Sequence, residues 1–313
     1  MSKKFAAGID IGGTNTVIGL VDEQGGIAGR ASIPTAGFAT AEDLVKAVCE
    51  KTVALCAQDG NATLLGFGIG APSANYYSGC IEHAPNLKWS GVIPLVSYFT
   101  KHLQLEAILT NDANAGALGE MLFGAAKGLK DFLFVTLGTG LGSGIVVNGQ
   151  LVYGHDGMAG EMGHVILIPD GRLCGCGRKG CLETYCSATG IRKTFLEKSG
   201  RKDSPEIDAK YIFDLAEAGD SAAIDSFHYT GSLLGLALAN SVAYTSPSHI
   251  FLFGGLAQAG ERILEPTRKS LDANLLHIYK NKVKLGLSQL AENDAAILGA
   301  ASLIWNKHQP ANS

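Results

Sequence analysis

Two stretches of the chain share one pattern: an apolar run, a glycine-rich break, then a second apolar run. The first is AGIDIGGTNTVIGLVD at residues 7–22 and the second is FVTLGTGLGSGIVVNG at 134–149. Aligning Asp10 with Thr136 also aligns Ile11 with Leu137, Gly12 with Gly138, Leu20 with Val146 and Val21 with Val147, an offset of 126 residues. Each stretch reads as strand, turn, strand. Two such hairpins at a domain-sized offset predict a duplicated fold with two related domains facing each other, although two ordinary hairpins would look the same locally. Elsewhere the period changes. Leu44, Val48 and Leu55 fall on one side of a helix over 42–58. The pattern then gives a strand at 64–69, a helix at 95–103, a short strand at 107–109 and a helix opened by Asn111-Asp112 and running towards Phe123. Helices follow near 206–217 and 220–244, a strand at 250–253 entering Gly254-Gly255, and a last helix over about 293–307, with residues 308–313 expected to fray. Alternating strands and helices predict an α/β protein.

Composition narrows the function. The chain has 313 residues, enough for two domains, and 46% apolar against 17% charged residues excludes disorder. Glycine is abundant, 41 residues, without the Gly-X-Y period of collagen, so the reading assigns it to tight turns and close approaches to a ligand. A net charge of −4 offers no basic surface for nucleic acid or an anionic membrane. The longest apolar stretch, 233–243, is broken by Gly235 and Asn240 and reads as a buried helix, too short to span a bilayer. Asp10 and Gly12-Gly13 arrive before any long apolar core, which argues against an export signal. Seven cysteines, an odd number, do not suggest a disulfide framework, so a reducing cytoplasm is expected.

Three glycine-rich strand ends carry candidate chemistry. In DIGGTNT the turn can present backbone N–H groups to a phosphate, and Asp10 can hold Mg²⁺ through water. LGTGLGSG offers a second turn with the Thr139 hydroxyl, and Gly254-Gly255 ends a third strand. Neither loop is a Walker A or dinucleotide motif, and each turn alone also reads as structural. Asn111-Asp112 is equally ambiguous: both residues are favoured helix caps, while a kinase acting on an alcohol needs a carboxylate to take the hydroxyl proton. The most specific stretch is GEMGHVILIPDGRLCGCGRKGCLE, in which His164, Cys174, Cys176 and Cys181 supply three thiolates and one imidazole. That set closes a tetrahedral zinc site with no open position, hence a structural one. Glu161 and Glu183 flank it, so the metal loop would fix two carboxylates suited to sugar hydroxyls.

In order along the chain, DIGGTN, PNL at 85–87, NDANAGALGE, the Gly-Glu-x-Gly-His and cysteine block, and FGG resemble the ROK family of sugar kinases and sugar-responsive repressors, nearest to its bacterial ATP-dependent glucokinases. The resemblance implies an actin-like ATPase fold of two ribonuclease H-like domains with a cleft between them. It divides the chain into a small domain of residues 1–118 plus the C-terminal helix 293–313, and a larger one of 119–292. It implies transfer of the γ-phosphoryl group of ATP to the 6-hydroxyl of glucose, with Asp112 as base. Asn86, Asn111, Asp112, Glu161, His164 and Glu183 would bind the sugar, His164 turning one ring nitrogen to zinc and the other to a hydroxyl. Asp10, Gly12, Gly13, Thr14, Thr139 and Gly140 would surround the ATP phosphates and Mg²⁺, and Gly254 and Gly255 the adenosine. A homodimer or homotetramer is expected, with sugar and ATP as partners. Many members have glycine where this chain has Ser73, in Ala71-Pro72-Ser73-Ala74-Asn75, which leaves mannose, fructose, glucosamine and the N-acetylhexosamines open. A repressor would carry a winged helix ahead of the first loop, and only nine residues precede Asp10.

Overall fold

A computed structural model describes residues 2–60 and 62–308, so most of the expected frayed tail lies outside the described residues. Strands β1 (Lys3–Ile11), β2 (Asn15–Val21) and β3 (Ile27–Pro34) are followed by α1 (Ala41–Asp59) and β4 (Ala62–Gly70). A small sheet of β5 (Ala74–Asn75), β6 (Cys80–Glu82) and β7 (Val92–Ile93) precedes α2 (Leu95–Leu103), β8 (Glu106–Thr110) and α3 (Asp112–Phe123). The pattern then restarts with β9 (Phe132–Leu137), β10 (Leu141–Val147) and β11 (Gln150–Leu151). After the cysteine loop come α4 (Ala188–Ser199), α5 (Ala209–Glu217), α6 (Ser221–Thr245), β12 (His249–Phe253), α7 (Glu261–Asn274), β13 (Lys284–Leu287) and α8 (Glu292–His308).

The chain forms two compact units, each with its own five-stranded sheet. One comprises the residues up to Leu129, Leu151–Ala159 and those from Gln289 on; the other comprises Lys130–Gln150 and Gly160–Ser288. The strand orders are β3-β2-β1-β4-β8 and β11-β10-β9-β12-β13, and the same positions are parallel: β1 with β4 and β4 with β8, β9 with β12 and β12 with β13. Ile11 and Leu137 end the first strands, Asn15 and Leu141 open the second, and Val21 and Val147 close them, each pair 126 residues apart. The repeat seen in the sequence is therefore a repeat of structure, and each unit has the ribonuclease H-like arrangement.

Local chemistry sets the helix ends. Thr40 caps α1 by accepting from the Asp43 N–H, and Gly60 ends it in the left-handed region at φ 67°. The helix expected from 206 begins at Ala209, because the Asp208 side chain accepts from the Tyr211 N–H and caps it there. Helix α4 is an addition to the sequence reading, framed by the Ser187 cap and Gly200 at φ 66°. In the first unit, Phe5, Ile9, Ile18, Leu44, Val48, Phe67 and Phe99 fill the core between the sheet, α1 and α2. On the other face Gly19, Gly8 and Gly68 stand side by side across β2, β1 and β4. A Cβ at Gly8 or Gly68 would strike the carbonyl oxygens of Ile297 and Ala300, so glycine is what lets α8 lie against the strands. Among the described residues, no helix is long and apolar enough to cross a membrane.

Candidate active site

In the first unit the register gathers the carboxylates. Asp10, the penultimate residue of β1, lies beside Gly70 at the end of β4, and Gly70 lies beside Thr110 at the end of β8. These are the carboxyl ends of three parallel strands, where open α/β sheets bind ligands. Asn111 and Asp112 follow directly. The structure shows which of the two residues caps the helix. Asn111 is the cap, its Oδ1 accepting from the Asn114 N–H at 2.8 Å, and Asp112 is the first helical residue. Among the described residues, the Asp112 carboxylate has no hydrogen-bond or ion-pair partner. A Cβ on Gly70 would sit 3.6 Å from Asp112 Oδ1, so that strand end forms the floor beneath it.

A helix N-terminus alone would favour the ionised carboxylate. Here the opposing effects win. The Asp112 side chain reaches solvent, yet the protein packed around it raises its carboxyl from 3.8 to about 7, desolvation first and the charge of Asp10 second. Burial raises Asp10 to about 6. The Gly12–Thr14 turn closes with the Gly12 N–H donating to the Asn15 carbonyl at 3.0 Å, and the Thr14 carbonyl accepts from the Thr35 N–H at 2.9 Å. Asn86 adjoins this turn, because a Cβ on Gly13 would strike its carbonyl oxygen. Asp10, Gly12, Gly13, Thr14, Asn86, Asn111 and Asp112 thus share the carboxyl edge of one sheet and the loops beside it.

The remaining expected site residues lie in the second unit. The Gly138–Gly140 turn joins β9 to β10 with an N–H of Gly138 on the Gly140 carbonyl at 3.1 Å, and Thr139 is exposed on it. The first N–H of α4, from Ala188, donates to the Gly138 carbonyl at 2.8 Å. Gly254 has φ +98°, and a Cβ there would meet the Leu137 backbone at 2.9 Å, so Gly254-Gly255 turns away directly beside the end of β9. Glu183 reaches the same turn: a Cβ on Gly140 would lie 2.8 Å from its Oε2.

The ligand atoms of His164, Cys174, Cys176 and Cys181 all lie within 4.8 Å of one another. Cys176 Sγ and Cys181 Sγ are 3.6 Å apart, and Cys174 Sγ is 3.6 Å from His164 Nδ1. Bonds of about 2.3 Å to a tetrahedral zinc place two sulfurs about 3.8 Å apart, so the cluster has the dimensions the ion needs. Nδ1 is the ring nitrogen on the cluster side; Nε2 faces Glu161, at 3.9 Å from Oε2. Glu183 links cluster and turn, with Oε1 2.9 Å from Cys174 Sγ and 3.7 Å from His164 Nδ1. The role of Glu183 beside Gly140 was not legible in the sequence, where the two stand 43 residues apart.

The chain as a whole has relatives that match this arrangement. The ROK family pattern covers residues 6–307. A glucokinase of Thermotoga maritima is 35% identical over 97% of this chain and 98% of its own length. The structure of a ROK family glucokinase from Streptomyces griseus in complex with glucose and AMPPNP is 34% identical, covers 96% of this chain and 98% of its own, and superposes with a TM-score of 0.79. The xylose repressor of Bacillus spizizenii is 30% identical over 77% of this chain and 61% of its own length. With both ribonuclease H-like sheets, the unpartnered aspartate and the cysteine block in place over that span, the chain belongs to the ROK family and has its actin-like ATPase fold.

Proposed function

We propose that the protein is an ATP-dependent hexokinase that phosphorylates the 6-hydroxyl of glucose. The observation that carries the reading is Asp112: the neighbouring Asn111 caps the helix, and the aspartate is left with a free carboxylate raised to about 7. That is the protonation range of an efficient general base near neutral pH. The kinship to glucokinases, and to one crystallised with glucose and an ATP analogue, supports the substrate pair.

In this reading the sugar 6-hydroxyl oxygen forms a bond to the γ-phosphorus, the bond from that phosphorus to the β–γ bridging oxygen breaks, and the hydroxyl proton passes to Asp112. Asn86, Asn111, Glu161, His164 and Glu183 hold the other hydroxyls, His164 through Nε2–H. The Gly12–Thr14 turn, Thr139 and Gly140 bind the phosphates through backbone N–H groups and hydroxyls, and Gly254-Gly255 borders the adenosine. Asp10 is the residue to hold Mg²⁺, which when bound draws charge from the phosphate oxygens. Zinc on the four-residue cluster is structural and keeps Glu161, His164 and Glu183 in place.

The test is a panel of sugars with ATP and Mg²⁺, reading ADP release. Glucose-dependent release is expected, and a chain that turns over with no hexose refutes the reading. Another hexose is the second reading, because Ser73, in the loop that leaves β4, puts a side chain where many ROK members have glycine. Turnover with mannose or an N-acetylhexosamine above glucose would select it.

A further inference from the structure

The cysteine loop carries a residue that none of the expected roles uses. Arg178 reaches three of the four metal-ligating residues at once. Its carbonyl accepts from the Cys174 N–H at 2.9 Å, and its guanidinium donates to the His164 carbonyl at 2.7 Å. Its backbone N–H and guanidinium both lie against the Cys176 sulfur. Cys176 is also the one exposed cysteine of the cluster, where water competes for the sulfur.

We propose that Arg178 is the positioning residue of this metal centre, the side chain that ties the exposed Cys176 corner to the His164 backbone. Three thiolates and a neutral imidazole leave a zinc centre with one net negative charge, and the guanidinium supplies the compensating positive one beside its exposed corner. Its planar fork can serve a carbonyl oxygen and a sulfur together, which a lysine ammonium on a flexible stem does less well. By holding the His164 backbone it also sets the direction of Nε2, the atom that faces Glu161. The inference rests on the zinc and sugar reading for that last consequence only; the hold on the metal is independent of any reaction.

The experiment is zinc transfer from the purified full-length protein to a chromogenic chelator, for wild type, Arg178→Met, Arg178→Lys and Lys179→Met. Outer contacts to metal ligands typically change affinity by about 10–100-fold, and Arg178→Met is expected to lose zinc by that factor. Arg178→Lys should recover part of it, and Lys179→Met, which removes the adjacent charge, should match wild type. In sugar turnover Arg178→Met should raise KM with kcat unchanged. Zinc retention equal to wild type in Arg178→Met overturns the proposal, as does an equal loss in Lys179→Met, which would make the effect one of general charge, or a wild type that takes up no zinc. A zinc-loaded wild type that phosphorylates no sugar refutes the kinase reading while the chelator result still decides this one.

Discussion

Asp112→Asn separates catalysis from structure more sharply than any other substitution. The change keeps the side chain's size and leaves the Asn111 cap, with its 2.8 Å bond to the Asn114 N–H, untouched. Loss of a general base typically lowers the rate by about 10²–10⁴-fold, so turnover should nearly vanish while sugar binding survives. The pH dependence gives an independent check. A base whose carboxyl is held at about 7 is half ionised there, so kcat/KM of the wild type should fall about tenfold per pH unit below 7, more steeply once Asp10 takes up its proton near 6. Stability must move the opposite way. The Asp112 carboxyl binds its proton more tightly folded, at about 7, than unfolded, at 3.8; between those values the native state carries the extra proton, and stability falls as pH rises. Asparagine has no such titration. The apo Tm of Asp112→Asn should equal wild type near pH 4 and exceed it at pH 8, measured by thermal melts across the range. A variant that retains turnover removes Asp112 from the mechanism. One that melts lower than wild type at pH 8 shows the residue to be structural after all.

Three further outcomes are expected. Asn111→Ala should destabilise the protein by about 1 kcal/mol in urea titrations, the usual worth of a cap, while Asp112→Asn should show no such loss. Metal analysis should find about one zinc per chain, and stripping it should lower Tm and raise the sugar KM, since Glu183 contacts both Cys174 and the Gly140 turn; unchanged KM after stripping would show the loop to be remote from the sugar. Ser73→Gly relieves a left-handed backbone that costs about 1–2 kcal/mol for a residue with a Cβ, offset by about 0.5–1 kcal/mol of glycine's own chain entropy. A net gain of about 0.5–1 kcal/mol is expected in the same titrations, and a loss would mean that the hydroxyl holds the loop.

The repeat, the hairpins and the grouping of His164 with three cysteines were legible in the sequence because each is local. Apolar runs on both sides of a glycine turn are contiguous, and His164, Cys174, Cys176 and Cys181 fall within 18 positions. Helix α4 escaped because its apolar residues, Ile191 and Phe195 foremost, are few, although Ser187 and Gly200 mark both its ends. The small β5–β7 sheet escaped because strands of two or three residues carry no measurable alternation. Which of Asn111 and Asp112 caps the helix could not be read from residue types, since both are favoured caps; one backbone position decides which side chain turns back to the helix. Arg178 was invisible for a different reason. Its bond to the His164 carbonyl spans 14 residues of a folded loop, and nothing in the spacing of the cysteines requires it.

The glycine excess shows how a correct count can be given an incomplete cause. Turns and ligand contacts account for only part of it, as in the Gly12-Gly13 turn. Gly8, Gly19 and Gly68 fall outside that part: they are interior strand positions pressed by α8. Interior strand glycine is normally a weakness, so its presence at three adjacent sites marks a backbone that has to come close. The consequence reaches the sheet edge that carries Asp10 and Asp112. Gly8 is two residues before Asp10, Gly68 two before Gly70, and the same α8 meets α3 where a Cβ on Gly119 would lie 2.9 Å from the Gly299 Cα. Helix α8 is thus one rigid wall against which both the strands ending at Asp10 and Gly70 and the helix beginning at Asp112 are fixed. The separation of the two carboxylates, and with it the part of the raised Asp112 proton affinity that the Asp10 charge supplies, depends on a helix that enters the chain 180 residues after the aspartate it helps to place.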